Sequence, residues 1–214
     1  RGDHQLSLSA SRKARALLAY LAATGEAHRR SRLCALLWDA PDDPRGALRS
    51  SLSRLRAVVD EPGRARIVTE GDTVRFDGEG VSIDLDEVRR VVAAGSASTA
   101  DLEAAAVLFR GDFIEGLMPA NCPEFDAWCA AEREEVRRIH VQILQALIER
   151  QADQPAAALP HARALVRVDP DAAAAHLTLL KTLVILGRKR EAEEQLGLSL
   201  RILGEISERA AHEL

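Results

Sequence analysis

Four arginines lie in the stretch DDPRGALRSSLSRLRAVVD, which runs from Asp42 to Asp60 of this 214-residue chain. Guanidinium groups form paired hydrogen bonds with phosphate oxygens and with guanine edges, so the chemistry they suggest is the binding of a polyanion. At 3.6 residues per turn, one side of a helix through this stretch is apolar. That side carries Leu48, Leu52, Leu55 and Val59. It must face a core, and the arginines then flank a strip of small residues on the opposite side.

Seven residues form the predicted DNA-contacting set, because small residues permit close approach and arginines reach phosphates or base edges. They are Arg45, Arg49, Ser50, Ser53, Arg54 and Arg56 on this helix, and Arg75 on the segment that follows it. A solvated surface helix in an arginine-rich protein has a similar pattern, so the helix alone leaves both interpretations open.

Other candidate chemistry is weaker. The three cysteines, Cys34, Cys122 and Cys129, are an odd number without zinc or redox spacing, which favours reduced packing thiols over a metal site that pairs Cys129 with His140. The chain contains no phosphate-binding loop, no Gly-x-Ser-x-Gly and no His-Glu-x-x-His. The sequence therefore predicts neither an enzyme nor a cofactor.

Charge is distributed unevenly. The net charge is −4, but residues 1–76 hold 14 Lys+Arg against 9 Asp+Glu, which is +5, and residues 77–214 hold 15 against 24, which is −9. This asymmetry indicates two domains with different partners. The sequence contains no apolar run long enough for a membrane span and no export signal, so a cytoplasmic protein without membrane contact is expected.

The predicted first domain, residues 1–83, combines helices with short strands. Gln5–Ser9 alternates like a strand, and a helix follows between a cap at Ser11 and a stop at Gly25. Ser31 is the expected cap of a short second helix, and Asp43-Pro44 opens the basic third one. A hairpin is then predicted around Gly71-Asp72. This order is that of a winged helix-turn-helix, in which the third helix reads the major groove.

The predicted second domain, residues 84–214, is almost entirely helical, so the fold class is mainly α. When the sequence is aligned with itself after a shift of 36 residues, His140 aligns with His176 and Leu144 aligns with Leu180. A shift of 34 residues aligns Ala158 with Ala192. A period near 34 is typical of tetratricopeptide-like helix pairs, which stack into a concave surface for partners. A compact bundle is the alternative.

In this order, the segments RKARALLAYLA, LLW, LSRLRAVV, LFRGDFIEGL and WCAAEREEVR, followed by paired helices that end in VDP, resemble a known family. The resemblance covers about residues 6–203. It is to bacterial transcriptional activator domain proteins of the Streptomyces antibiotic regulatory protein type. It implies a winged helix followed by a tetratricopeptide-like activator domain. Relative to the family, the N-terminal sheet is reduced to Gln5–Ser9 and the wing tip is acidic.

The resemblance implies a transcriptional activator that binds double-stranded promoter DNA, as a homodimer or as tandem protomers, and contacts an RNA polymerase subunit. The alternative function is a protein-interaction or sensory module that regulates a fused ATPase or other signalling domain without binding DNA.

Overall fold

The computed structural model describes residues 11–38 and 43–212, with side chains through residue 205 in the last helix. The chain divides into two compact units. One contains the residues up to Glu87 together with Gly111–Glu134, and the other contains Val88–Arg110 and the residues from Glu135 onward. The described residues are mainly helical and include one small sheet. The strand predicted at Gln5–Ser9 lies outside the described residues.

Three helices begin the first unit: α1 (Arg12–Thr24), α2 (Arg30–Trp38) and α3 (Pro44–Val59). Ser11 caps α1 as predicted, and Gly25 ends it at a left-handed φ of 63°, which glycine adopts without strain. The cap predicted at Ser31 is wrong, because α2 already begins at Arg30. The backbone amide of Arg30 instead donates to the carbonyl of Asp72 at 2.8 Å.

The sheet of the first unit contains β1 (His28–Arg29), β2 (Ile67–Glu70) and β3 (Thr73–Phe76), all antiparallel in the order β1-β3-β2. The predicted hairpin is confirmed, and Gly71 adopts a φ of 57° in its turn. The short strand β1 was not predicted, because two residues show no alternation. Its partner β3 lies more than 40 residues further along the chain.

The core of the first unit includes side chains from a distant part of the sequence. Phe125 and Cys129 are fully buried among the leucines of the first three helices. The ring of Trp128 lies edge-on to Tyr20, with centroids 4.8 Å apart. The predicted boundary after residue 83 therefore differs from the limits of the compact units, since Gly111–Glu134 packs with the first of them.

The part of the chain that the structure describes contains six further helices: α4 (Asp84–Ala93), α5 (Thr99–Ala106), α6 (Pro123–Arg150), α7 (Pro155–Val168), α8 (Ala173–Ile185) and α9 (Lys189–His212). The spacing of Ser98 and Asp101 in the sequence predicts a capping box, and this box is present at α5. Asp169-Pro170 has the sequence pattern of a helix start and predicts that α8 begins there. This prediction is wrong, because Asp169 ends α7, where its amide donates to the carbonyl of Leu165, and α8 begins at Ala173.

Packing in the second unit joins α7, α8 and α9. Leu159 and Ala162 of α7 share an apolar cluster with Leu179 and Leu183 of α8 and with Ala192 of α9. A buried histidine adds a polar link between α8 and α9. His176 Nδ1 lies 2.8 Å from Ser199 Oγ, and its Nε2 lies 2.7 Å from the carbonyl of Pro170. Both ring nitrogens of this buried side chain are therefore hydrogen-bonded.

Candidate nucleic-acid interface

Helix α3 buries one side and exposes the other, as its sequence phase predicts. The Asp43 carboxylate caps α3 by accepting a hydrogen bond from a backbone amide at 2.8 Å, and Pro44 occupies the first position of the helix. Leu48, Leu52 and Leu55 are at most 1% exposed. Because these leucines are held in the core, they determine which residues of α3 face outward.

Small polar residues and arginines occupy the outward side of α3. The exposed members are Arg45, Arg49, Ser50, Ser53, Arg54 and Ala57. Five of the seven predicted contact residues are therefore on the surface of one helix. The two serines lie between the arginines and leave room for another molecule to approach the helix closely.

A cavity of about 500 Å³ opens beside α3 and is lined mainly by arginines. Its lining consists of Arg30, Arg45, Leu48, Arg49, Leu52, Arg56 and Asp72. Four guanidinium groups and one carboxylate give this lining a formal charge of +3. An anion such as a phosphate group would be attracted here, and the planar guanidinium groups can bind two of its oxygens at once.

Arg30 is a residue of this cavity that the sequence argument missed. It lies at the first position of α2, where its amide is held by the carbonyl of Asp72 in the hairpin turn. Pairing between β1 and β3 brings this turn to the beginning of α2. The only sequence signal is the run of three basic residues at His28–Arg30. That run could not be assigned to the cavity without the sheet register.

Arg56 faces the cavity but is already engaged within the first unit. Its Nε donates to the carbonyl of Ile67 at 3.2 Å, and one of its terminal nitrogens donates to the hydroxyl of Thr69. The side chain is only partly exposed. Arg56 therefore joins α3 to β2 and has fewer donors left for a ligand than Arg45 or Arg49.

The structure does not bring Arg75 together with the arginines of α3. Arg75 stands opposite Val68 in the ladder, and its neighbour Val74 is fully buried. Successive side chains of a strand point to opposite faces of the sheet, so Arg75 lies on the outer face. There it approaches Glu70 at 3.8 Å and Asp77 at 4.0 Å.

Carboxylates accompany the arginines around the cavity. Arg49 lies 3.6 Å from Asp43, and both side chains are largely exposed, so this pair contributes little to stability. Beneath the same surface, burial raises the pKa of the Cys34 thiol, and the positive charges of Arg45 and Arg30 act in the opposite direction. The net effect keeps this thiol protonated at neutral pH.

A second group of ion pairs holds the base of the hairpin. The Arg66 guanidinium is buried and bonds to the Glu61 carboxylate at 2.8 Å. Arg64 lies 3.1 Å from Asp77, and its hydrogen bond lowers the pKa of the Asp77 carboxyl. These contacts fix the hairpin against the end of α3.

No group of metal-ligating side chains occurs among the described residues. Across the same residues, no helix combines the length and the apolar character that a membrane crossing requires.

Residues 83–205 match a family described as the bacterial transcriptional activator domain, and this match covers more than half of the chain. A comparison with curated proteins gave no match. The match extends from the start of α4 into α9 and includes the segment Gly111–Glu134. The family is regulatory rather than enzymatic. The chain belongs to the bacterial transcriptional activator domain family, and its general function is transcriptional activation.

Proposed function

We propose that this chain is a DNA-binding transcriptional activator of the Streptomyces antibiotic regulatory protein type. The first three helices and the sheet act as a winged helix-turn-helix, with α3 in the major groove of promoter DNA. The order of helices and strands supports this assignment, because β1 precedes α2 and the β2–β3 hairpin follows α3.

The observation that carries the proposal is the arginine-lined cavity beside the exposed serines of α3. Arg30, Arg45 and Arg49 line this cavity and are proposed to contact phosphate groups, and Arg54 lies on the same exposed surface of α3. Ser50 and Ser53 allow the helix to approach base edges. Arg56 holds β2 in position, and Arg75 lies on the outer face of the hairpin. Neither of these two is expected to dominate affinity.

The α-helical remainder is proposed to be a tetratricopeptide-like partner-binding domain. Residues 77–214 carry −9, which disfavours nucleic acid and favours a basic or amphipathic protein surface. An RNA polymerase subunit is the proposed partner, with a fused signalling domain as the alternative. Promoter binding and polymerase contact are then separated between two oppositely charged regions of one chain.

A salt-dependent binding titration tests the DNA claim with the full chain. Arg45→Ala combined with Arg49→Ala should weaken binding to duplex DNA and reduce the slope of log affinity against log salt by about 2, since each phosphate contact contributes about 0.9. Arg138→Ala is the matched control, because Arg138 is an exposed arginine of α6 in the second unit. The control should leave both affinity and slope unchanged.

Circular dichroism of the same variants separates binding from folding. Both substituted arginines are exposed and lie off the leucine side of α3, so melting should not change. Unchanged DNA affinity in the double variant would refute the assignment of α3 as the DNA-contacting helix. Equal losses of DNA affinity in the double variant and in Arg138→Ala would show that the arginines attract DNA only nonspecifically.

A protein-interaction module without DNA binding is the second candidate function. It is favoured by the acidic hairpin tip, where Glu70 and Asp72 are exposed and Asp72 lines the arginine cavity. Carboxylates at this position repel phosphate groups. Asp72→Asn discriminates between the two functions. It should raise DNA affinity severalfold if the cavity receives a phosphate group, and it should leave binding absent if the surface docks a protein.

A further inference from the structure

A cavity of about 360 Å³ lies between α1 and residues 115–117, all within the first unit. Its lining consists of Arg15, Leu18, Ala19, Ala22, Glu115, Gly116 and Leu117. The four lining residues of α1 follow the i, i+3, i+4, i+7 spacing of one side of a helix. Small-molecule sites have volumes of roughly 300–1,000 Å³, so this α1 cavity has the size of a ligand site.

Apolar side chains form most of the wall of the α1 cavity. Leu18 and Leu117 are partly buried and pack against the core of the first unit. The alanines of α1 between and beyond them have only methyl groups, which leave room above the helix. An apolar group of a ligand would therefore be removed from water here, and this removal favours binding.

Residues 111–117 hold their side of the α1 cavity in a fixed conformation. The amide of Glu115 donates to the carbonyl of Asp112 at 3.1 Å, and the amide of Leu117 closes a second turn onto Ile114. Ile114 has a φ of 43°, which a β-branched residue adopts only where its surroundings hold it. The wall is thus formed before a ligand binds, which lowers the entropy cost of binding.

Two opposite charges, Arg15 and Glu115, stand in this apolar lining. Within the part of the chain that the structure describes, Nε of Arg15 is buried and has no hydrogen-bond partner. In the same part, neither Arg15 nor Glu115 forms an ion pair. A buried donor without an acceptor costs stability, so an acceptor supplied by a ligand would remove this cost.

The pair of charges selects the chemistry of the ligand. A simple anion would be attracted by Arg15 but repelled by Glu115, and a simple cation would meet the reverse. A purely apolar molecule would leave both groups without partners. A molecule with a carboxylate, an ammonium group and an apolar group satisfies the whole lining, and an apolar amino acid carries all three at neutral pH.

We propose that the α1 cavity binds a free α-amino acid with an apolar side chain. The Arg15 guanidinium holds the ligand carboxylate through paired hydrogen bonds, and Glu115 accepts from the ligand ammonium group. The side chain of the ligand lies against Leu18 and Leu117. No lining residue belongs to the predicted DNA-contacting set, so this site is separate from the proposed DNA-binding surface and adds a sensory function to the first unit.

Isothermal titration calorimetry of the full chain with L-leucine tests the proposal. Leucine should bind with a dissociation constant below about 1 mM. Two analogues serve as comparisons: 4-methylpentanoate lacks the ammonium group, and 3-methylbutylamine lacks the carboxylate. Each should bind at least about tenfold more weakly than leucine, because each leaves one charged side chain of the cavity without a partner.

Arg15→Met tests the carboxylate contact. Leucine binding should weaken at least about tenfold, and the variant should lose its preference for leucine over 3-methylbutylamine. Arg12→Met is the matched control, because Arg12 is an exposed arginine of α1 that does not line the cavity. The control should bind leucine as the unmodified chain does.

Glu115→Gln tests the ammonium contact. This variant should bind leucine and 4-methylpentanoate equally, because the amide does not carry the charge that attracts the ammonium group. Asp112→Asn is the matched control, since Asp112 is an exposed carboxylate of the same segment and lies outside the lining. Circular dichroism checks that each variant is folded, and Glu115→Gln changes an exposed side chain that the core does not need.

Three outcomes would overturn the proposal. They are the absence of a binding heat at about 10 mM leucine, analogues that bind as tightly as leucine, and leucine binding that survives both Arg15→Met and Glu115→Gln unchanged. Leucine binding and DNA binding use different residues. Either claim can therefore fail while the other stands.

Discussion

The surface of α3 and the surface of α8–α9 differ in the chemistry of what they expose. On α3 the exposed residues are arginines and serines, and carboxylates stand near the guanidinium groups. On α8–α9 they are leucines, a valine and an isoleucine, with charged residues between them. The first suits a hydrated polyanion, which exchanges counterions for arginines. The second suits a dry helical surface, since only removal from water makes exposed leucines favourable.

The two surfaces also differ in what supports them. Helix α3 is held by a core that includes Phe125 and Cys129 from the start of α6. The α8–α9 pair is held by its neighbour α7 and by the His176–Ser199 contact. Disruption of the first core should therefore affect the arginine surface, and disruption of helix pairing should affect the leucine surface.

Phe125→Ala should produce the largest effect. This fully buried ring belongs to the core of the first unit, and Phe→Ala changes in cores cost about 3–5 kcal/mol. Urea unfolding followed by tryptophan fluorescence measures the change, because Trp38 and Trp128, the chain's only tryptophans, lie in that unit. An unchanged transition would contradict the assignment of Gly111–Glu134 to the first unit.

A pair of leucine substitutions compares the two surfaces directly. Leu52→Ala should destabilise the first unit by about 2–5 kcal/mol, since this side chain is 1% exposed on the inner side of α3. Leu177→Ala should change the stability of the monomer by less than about 0.5 kcal/mol, because its side chain lies on the surface. Chemical unfolding of the two variants provides the measurement. Similar losses of stability in both variants would contradict the assignment of Leu52 to the core and of Leu177 to the surface.

Acid should weaken the second unit through His140. Burial lowers the pKa of its imidazole to about 4, and its ring stacks on Phe109 at 3.9 Å. Because the pKa of this imidazole is lower in the folded chain, the unfolded chain binds the proton first as the pH falls. The contribution of neutral His140 to folding stability is therefore complete above pH 6.5 and is lost as the pH falls toward 4. The loss should be on the order of 2 kcal/mol.

Circular dichroism melting across this pH range measures the loss. His140→Gln, which cannot titrate, should flatten the dependence. A pH dependence of equal steepness in His140→Gln would assign the effect to other groups, such as His161, whose pKa is also lowered by burial.

Much of the candidate site could be predicted from local pattern. The leucine spacing of α3 identified its buried side, and Asp43-Pro44 identified its start, because caps and helical phase depend only on neighbouring residues. Arg30 and the engagement of Arg56 could not be predicted. Both depend on the strand register, which brings Asp72 to α2 and Thr69 to α3 across long stretches of chain.

The sequence by itself determined the helical class, the uneven charge, the outward residues of α3 and the repeat that relates α6–α7 to α8–α9. These follow from composition and periodicity, which are local properties of a chain. Only the tertiary structure decided that Phe125 completes the core of the first unit, that Arg75 lies on the outer sheet face, and that Leu177 and Leu200 stay exposed. Burial depends on which distant segments meet, and a sequence pattern shows that a side chain is apolar without showing what covers it.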